Sequence, residues 1–132
     1  MAKKIFIIED DAALLYGLRA KFRVDDFETV IHDGTGTINA ALEQIKLALP
    51  NAIVLDLILP DMEGFELLKS IKANKETNSI PIFIFTNYTD KAIKERCQNI
   101  GAEYYYIKSE LNIDEFVAKV KKTIVNREKI NK

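Results

Sequence analysis

Ile53-Val54-Leu55-Asp56-Leu57-Ile58-Leu59-Pro60 places one carboxylate in an otherwise apolar run. The run is short and rich in β-branched residues up to Asp56, which predicts a strand buried on both faces; Pro60 and Gly64 end the run. An unpaired charge inside such a strand would destabilise the fold by several kcal/mol. We therefore expect Asp56 to lie where the strand ends. In open α/β sheets, ligands bind at this carboxyl edge.

The composition indicates one domain with a substantial core. The chain has 132 residues, of which 48% are hydrophobic. The 19 lysines and arginines nearly balance the 20 aspartates and glutamates, so the net charge of −1 gives no general attraction to nucleic acid or to an anionic membrane. The single cysteine excludes an intrachain disulfide. No apolar run approaches the roughly 18 residues of a membrane span, and no signal peptide is recognisable, so the expected location is the cytoplasm.

Apolar segments of strand length alternate with segments of helical apolar spacing along the whole chain. The predicted strands are 3–8, 27–31, 53–56, 80–86 and 104–107, and the predicted helices are 12–22, 37–49, 65–73, 89–100 and a last helix from residue 112. Five such repeats predict a doubly wound parallel sheet with helices on both faces and the strand order 2-1-3-4-5. The predicted domain covers residues 1–126, and residues 127–132 form a predicted charged tail.

Four of the five predicted strands end in polar groups that a core strand does not need. These groups are Glu9 and Asp10 after strand 1, Asp56 at strand 3, Thr86 at strand 4 and Lys108 after strand 5. In the predicted strand order these four strands are neighbours, so the groups should meet in one pocket. Three carboxylates brought close together repel one another, and a hard divalent cation relieves that repulsion. Mg²⁺ prefers oxygen ligands and commonly combines carboxylates with phosphate oxygens.

The remaining groups suit phosphoryl chemistry. Asp56 is a candidate carboxylate nucleophile that would form an aspartyl-phosphate. The Lys108 ammonium and the Thr86 hydroxyl are candidate partners for phosphoryl oxygens, since phosphoryl transfer needs mainly positioning and charge neutralisation.

Taken together, these segments resemble the receiver domain of two-component response regulators, from about residue 3 to residue 125. The resemblance is carried by Ile-Ile-Glu-Asp-Asp at 7–11, Leu-Asp-Leu-Ile-Leu-Pro-Asp-Met-Glu-Gly-Phe at 55–65, Pro-Ile-Phe-Ile-Phe-Thr at 81–86 and Gly-Ala-Glu-Tyr-Tyr-Tyr-Ile-Lys at 101–108. It implies a flavodoxin-like (βα)5 fold and a phosphoacceptor protein rather than an enzyme. The implied phosphoryl donor to Asp56 is a sensor histidine kinase or a phosphotransfer protein.

The resemblance also assigns roles within the pocket. The implied Mg²⁺ ligands are Glu9, Asp10, Asp56 and the backbone carbonyl of Ile58. Lys108 would pair with the phosphoryl oxygens. Thr86 would move toward the phosphoryl group, and Tyr105 would swing inward with it.

The implied output is a shift of the surface formed by the fourth helix, fifth strand and fifth helix (α4–β5–α5). That surface would bind a downstream protein or form a homodimer, with no direct nucleic acid binding. Only a few residues follow the last predicted helix. We therefore expect a stand-alone receiver that signals through protein contacts, or else a segment of a longer regulator.

Two positions depart from the family pattern. The lysine is usually followed by proline, often through a cis bond, but here Ser109 follows Lys108. A cis bond before a residue other than proline costs about 3–4 kcal/mol, so it persists only where the fold enforces it. The residue after the threonine is usually alanine or glycine. Here it is Asn87, which could obstruct the pocket or the path of the Tyr105 ring.

Side chains at the pocket rim bear on the lifetime of a phosphoryl group. Ile58 follows Asp56 by two positions, and Tyr88 follows Thr86 by two. Neither is an acid or amide suited to orient an attacking water. The sequence therefore predicts slow self-dephosphorylation.

Two alternatives remain beside the phosphoacceptor interpretation. A Mg²⁺-dependent aspartyl-phosphate phosphohydrolase would generally carry an acid two residues after the nucleophile, where this chain has Ile58. A partner-binding pseudo-receiver would lack one of the acids, the threonine or the lysine. Other acids, including Asp11, Asp61 and Glu63, are interpreted as caps or solvated loop residues. Asp11 is a predicted N-cap, and Asn112 with Glu115 forms a predicted capping box.

Overall fold

The computed structural model describes residues 2–130, in which strands and helices alternate. The strands are β1 (Lys4–Ile8), β2 (Glu28–His32), β3 (Ala52–Leu55), β4 (Ile82–Thr86) and β5 (Tyr104–Ile107), and the helices are α1 (Ala12–Arg23), α2 (Ile38–Ala48), α3 (Gly64–Ala73), α4 (Lys91–Asn99) and α5 (Ile113–Ile130). The strands form one parallel sheet in the order β2-β1-β3-β4-β5. The predicted fold class and strand order are confirmed.

Alternate residues of the central strands enter two separate cores, one on each face of the sheet. In β1, Phe6 and Ile8 pack with α2, α3 and α4, whereas Ile5 and Ile7 pack with α1 and α5. These four side chains are fully buried, whereas Lys4 at the start of β1 is half-buried. Burial on both faces explains why these strands are continuously apolar instead of alternating between apolar and polar residues.

Capping side chains define several helix starts. The Asp11 carboxylate accepts a hydrogen bond from the Leu14 amide at 3.2 Å, as predicted. The predicted capping box is also present: the Glu115 amide donates to Asn112 Oδ1 at 2.8 Å, and the Asn112 amide donates to Glu115 Oε1 at 3.0 Å. These caps fix where α1 and α5 leave the carboxyl edge of the sheet.

The fifth helix is longer than the sequence indicated. It continues to Ile130, so residues 127–130 of the predicted tail are helical, and residues 131–132 lie outside the described residues. Arg127 donates to the Tyr104 hydroxyl at 3.2 Å, and Glu128 pairs with Lys3. Two charged residues of the predicted tail thus contact β5 and the segment before β1, and the charge pattern of the sequence did not indicate these partners.

The fourth helix buries few of its side chains against the rest of the protein. It begins at Lys91 after the N-cap Asp90, two residues later than predicted, and of its side chains only Cys97 is buried. Ala92, an apolar residue within this predicted helix, is exposed. No helix within residues 2–130 combines the length and the apolar character that a membrane span requires.

Candidate functional site

The carboxyl ends of β1, β3, β4 and β5 bring the polar strand-end residues together. β1 pairs with β3 up to Ile8 and Leu55, so the next residues, Glu9 and Asp56, emerge side by side. Carboxylate oxygens of Glu9, Asp10 and Asp56 lie within 4.8 Å of one another. Two of these acids are almost completely buried, Glu9 at 2% and Asp56 at 4% exposure. The sheet thus holds three carboxylates in one small volume.

Lys108 reaches this cluster from the end of β5. Its Nζ lies 2.6 Å from Glu9 Oε1 and 2.6 Å from Asp56 Oδ2. Burial lowers the pKa of Lys108, but the hydrogen bonds to Asp56 and Glu9 outweigh burial and raise the pKa above its usual value. At Glu9 the balance is reversed, because burial raises the pKa more than the Lys108 hydrogen bond lowers it. The Lys108 ammonium therefore pairs with two acids, and at Glu9 this pairing does not fully offset the cost of burying the ionised carboxylate.

Backbone contacts fix the Asp56 carboxylate. The Asp56 amide donates to the Ile8 carbonyl at 3.1 Å, which continues the ladder between β1 and β3 by one residue. Asp56 Oδ1 accepts from the Ile58 amide at 3.1 Å. The two Asp56 oxygens thus have different partners, the Ile58 amide for Oδ1 and the Lys108 ammonium for Oδ2.

Thr86 and Tyr105 lie on adjacent strands beside the acids. Thr86 is fully buried, and its Oγ1 accepts from the Tyr88 amide at 3.3 Å. The Tyr105 ring is 8% exposed, and its hydroxyl donates to the Tyr88 carbonyl at 2.7 Å. Burial, and to a smaller extent nearby groups such as Cys97, raises the pKa of Tyr105 to about 12. The structure therefore contains Tyr105 in the inward position, with its hydroxyl protonated at neutral pH.

The structure shows the local conformation at the two departures from the family pattern, Ser109 after Lys108 and Asn87 after Thr86. Every peptide bond within residues 2–130 is trans, including Lys108–Ser109. The Lys108 amide donates to the Thr86 carbonyl at 2.8 Å, which holds the lysine in register without a proline. Asn87 is exposed, whereas Thr86 and Tyr105 are buried. The asparagine therefore does not occupy the position of the Tyr105 ring.

Gly64 has a structural role that sequence reasoning missed. A Cβ at this position would lie 2.4 Å from Leu57 Cα and 2.5 Å from the Asp56 carbonyl oxygen. The Gly64 amide donates to the Leu57 carbonyl at 3.0 Å, so the first turn of α3 packs directly on the backbone that carries Asp56. The sequence indicated only a strand stop at Gly64. The sequence signal that could have indicated this role was the position of Gly64 at the end of Pro-Asp-Met-Glu-Gly, a segment that the resemblance to receiver domains already included.

The donor set of the acid cluster fits a hard divalent cation. Glu9, Asp10 and Asp56 provide oxygens only, and no described cysteine or histidine joins the group. Oxygen-only sites of this kind suit Mg²⁺ rather than Zn²⁺. The cluster also has more negative charge than the single Lys108 ammonium can neutralise.

Comparison with known proteins gives one consistent family. Residues 5–121 match the model of the response regulator receiver domain. The chain is 29% identical over 123 residues to the phosphate regulon transcriptional regulatory protein PhoB of Rhizobium meliloti, covering 92% of this chain and 52% of PhoB. It is 27% identical over 124 residues to the polar-differentiation response regulator DivK of Brucella ovis, covering 92% of this chain and 95% of DivK. The chain thus spans about half the length of PhoB and nearly the whole of DivK.

Solved structures agree with this family. A CheY-like response regulator receiver domain protein from Methanospirillum hungatei superposes with a TM-score of 0.83 at 29% identity, covering 98% of each chain. Receiver domains are phosphoacceptors of two-component signal transduction, and they typically bind Mg²⁺ in an acidic pocket. The chain belongs to the response regulator receiver domain family and is a phosphoacceptor signalling switch.

Proposed function

We propose that Asp56 is the phosphoacceptor of this switch and that a histidine kinase or a phosphotransfer protein is its donor. The observation that carries the proposal is the placement of the Asp56 carboxylate. It is buried at the end of β3, grouped with Glu9 and Asp10, and bonded to the Lys108 ammonium at 2.6 Å. This arrangement places one carboxylate where it can accept a phosphoryl group and surrounds it with charged groups of both signs.

The transfer would be a displacement at phosphorus. A carboxylate oxygen of Asp56 forms the new O–P bond, the P–N bond of the donor phosphohistidine breaks, and its electron pair remains on the imidazole nitrogen. Lys108 would then pair with a phosphoryl oxygen instead of with Asp56 Oδ2. The Thr86 hydroxyl, whose Oγ1 accepts a hydrogen bond from the Tyr88 amide, would donate a hydrogen bond to another phosphoryl oxygen.

Glu9, Asp10, Asp56 and the Ile58 carbonyl would hold Mg²⁺. When bound, Mg²⁺ neutralises the charge that develops on the transferring phosphoryl oxygens. On the protein side, Glu9 and Asp56 are already held on adjacent strands. The hydrogen bond from the Ile58 amide to Asp56 Oδ1 keeps the Ile58 backbone beside the acceptor.

The signal would leave through the segment that joins β4 to α4. Tyr88 in this segment contacts both switch residues, because its amide donates to Thr86 and its carbonyl accepts from Tyr105. Movement of Thr86 toward a phosphoryl group would break the first contact. Because α4 buries only Cys97, its displacement disturbs little packing. The α4–β5–α5 surface would therefore change and bind a downstream protein or a second copy of the chain.

Phosphorylation of Asp56 is testable by intact mass spectrometry. Incubation with acetyl phosphate and Mg²⁺ should add one phosphoryl group to the wild type and none to Asp56→Asn. Beryllofluoride should likewise shift the Thr86 and Lys108 amide resonances in the wild type only. Asp11→Asn is the matched control, because it removes a neighbouring charge but retains an N-cap, and it should be phosphorylated normally. An equal mass change in Asp56→Asn would contradict the proposal.

Intact mass, combined with a measurement of released inorganic phosphate, separates the alternatives. A phosphohydrolase would release inorganic phosphate from a small phosphate ester through many turnovers. A pseudo-receiver would bind its partner without any mass change. The presence of Glu9, Asp10, Thr86 and Lys108 around Asp56 disfavours a pseudo-receiver, and Ile58 in place of an acid disfavours a phosphohydrolase.

We expect the phosphorylated state to persist for many minutes without a phosphatase. Ile58 and Tyr88 are 54% and 41% exposed, and both line a cavity of about 370 Å³ that Leu57, the residue after the acceptor, also lines. Neither side chain can orient a water toward the phosphorus as an acid or amide would. Ile58→Asn should shorten the half-life about tenfold by supplying such a group. Loss of the phosphoryl mass within seconds in the wild type with Mg²⁺ present would contradict this expectation.

A further inference from the structure

Two loops at the carboxyl edge of the sheet are joined by a hydrogen bond that the proposed function does not use. The β2–α2 loop is defined here as residues 33–37 and the β3–α3 loop as residues 56–63. Oδ2 of Asp61, in the β3–α3 loop, accepts from the amide of Gly36, in the β2–α2 loop, at 2.8 Å. Asp61, interpreted from the sequence as a cap or a solvated acid, therefore has a specific backbone partner 25 residues away.

A second contact between the loops lies beside this hydrogen bond. Gly34 is buried and has a φ of +83°. A Cβ on Gly34 would lie 2.8 Å from Leu59 Cδ2 and 3.1 Å from Pro60 Cδ. The close approach of the loops thus requires glycine at position 34, for both its conformation and its size.

The β2–α2 loop is itself ordered by short-range hydrogen bonds. His32 Nδ1 accepts from the Gly34 amide at 2.9 Å, and Asp33 Oδ1 accepts from the Thr35 amide at 3.0 Å. At its start, the His32 carbonyl accepts from the Glu9 amide at 3.0 Å. The loop therefore connects the Glu9 end of β1 to residues 59–61 of the β3–α3 loop.

We infer that Asp61 is a positioning residue, whose bond to the Gly36 amide holds the β3–α3 loop so that the backbone of Ile58 faces the acid cluster. The Ile58 amide bonds to Asp56 Oδ1, and Asp61 follows Ile58 by three residues. The metal part of this inference rests on the proposed function, because Ile58 matters there as a carbonyl ligand. The loop geometry stands on the observed contacts alone.

Paired substitutions at Asp61 test the inference in the full chain. Asp61→Ala removes the acceptor, whereas Asp61→Asn keeps an acceptor oxygen but removes the charge. In the metal-free protein, amide hydrogen exchange at Ile58 and Gly36 should be about threefold faster in Asp61→Ala and close to wild type in Asp61→Asn. Mg²⁺ binding, measured by titration calorimetry with magnesium chloride, should be about threefold weaker in Asp61→Ala only. Phosphorylation by acetyl phosphate should be slower in Asp61→Ala at limiting Mg²⁺ and recover at saturating Mg²⁺.

The possible failures are distinguishable. Equal weakening of Mg²⁺ binding in Asp61→Asn and Asp61→Ala would show that only the charge acts and would overturn the positioning role. Unchanged exchange and unchanged Mg²⁺ affinity in Asp61→Ala would overturn it as well. If wild-type protein bound no Mg²⁺ and accepted no phosphoryl group, the proposed function would fail, and the metal-free exchange data would still decide the loop contact. Gly34→Ala provides a second variant, and its effect on Ile58 exchange should be less than additive with that of Asp61→Ala.

Discussion

Lys108→Met should destabilise the metal-free protein by about 3 kcal/mol, because it leaves two buried carboxylates without their cation. Glu9 and Asp56 are 2% and 4% exposed, and both are bonded to the same Nζ at 2.6 Å. Methionine fills a similar length with apolar atoms and compensates neither charge. The free energy of unfolding from urea titration measures this loss. A control is Lys121→Met, whose lysine pairs with the exposed Asp25 and should cost much less.

Two conditions should reduce the loss of stability that Lys108→Met causes. Saturating Mg²⁺ should restore part of the stability, because a cation then neutralises the same acids. Lower pH should also help. Burial raises the pKa of Glu9 above 4.5, so its ionisation disfavours the folded state as pH rises above 4.5, and this penalty disappears as pH falls toward that value. A Lys108→Met protein with wild-type stability at neutral pH without metal would show that the ion pairs contribute nothing.

Gly64→Ala should destabilise the protein by about 3 kcal/mol and slow phosphorylation of Asp56. The new Cβ would overlap backbone atoms of Asp56 and Leu57 at 2.4–2.5 Å, and backbone cannot rotate aside as a side chain can. Either α3 or the end of β3 must move. Thermal unfolding measures the loss of stability, and the rate of mass gain with acetyl phosphate reports displacement of the acceptor.

Gly17→Ala is the matched control for Gly64→Ala. Gly17 lies within α1, and a Cβ there would approach only the flexible end of Ile113, at 3.2 Å. Alanine is the better helix former by about 1 kcal/mol, so this variant should be neutral or slightly stabilised. If Gly64→Ala behaved like Gly17→Ala, the close packing of α3 on the Asp56 backbone would not matter for folding.

The architecture was predictable because its signals are local. Runs such as Ile5-Phe6-Ile7-Ile8 are short, apolar at every position and rich in β-branched residues, which is typical of a strand covered on both faces. The alternation of such runs with helical periodicity then leaves few topologies, since parallel crossovers are right-handed. The meeting of Glu9, Asp56 and Lys108 followed from the same argument, because neighbouring parallel strands end at one edge.

Other features depend on contacts between distant segments. The helical state of residues 127–130 accompanies contacts of Arg127 with Tyr104 and Glu128 with Lys3. The apolar spacing of α4 did not show that Cys97 would be its only buried side chain. The sequence predicted that α4 is a helix but not that residues 127–130 are helical, and in both places the surface available for packing decided which side chains make contacts.

The sequence by itself determined the order of strands and helices, the two-sided core and the group of acids, threonine and lysine at one edge. These follow from periodicity and chirality, which act over a few residues or apply to any parallel sheet. Only the tertiary structure decided that Lys108 bridges Glu9 and Asp56, that Tyr105 lies inward on the Tyr88 carbonyl, and that Asp61 reaches Gly36. Such bonds depend on distances and angles between segments far apart in the chain, and a hydrogen bond weakens steeply when its geometry is poor.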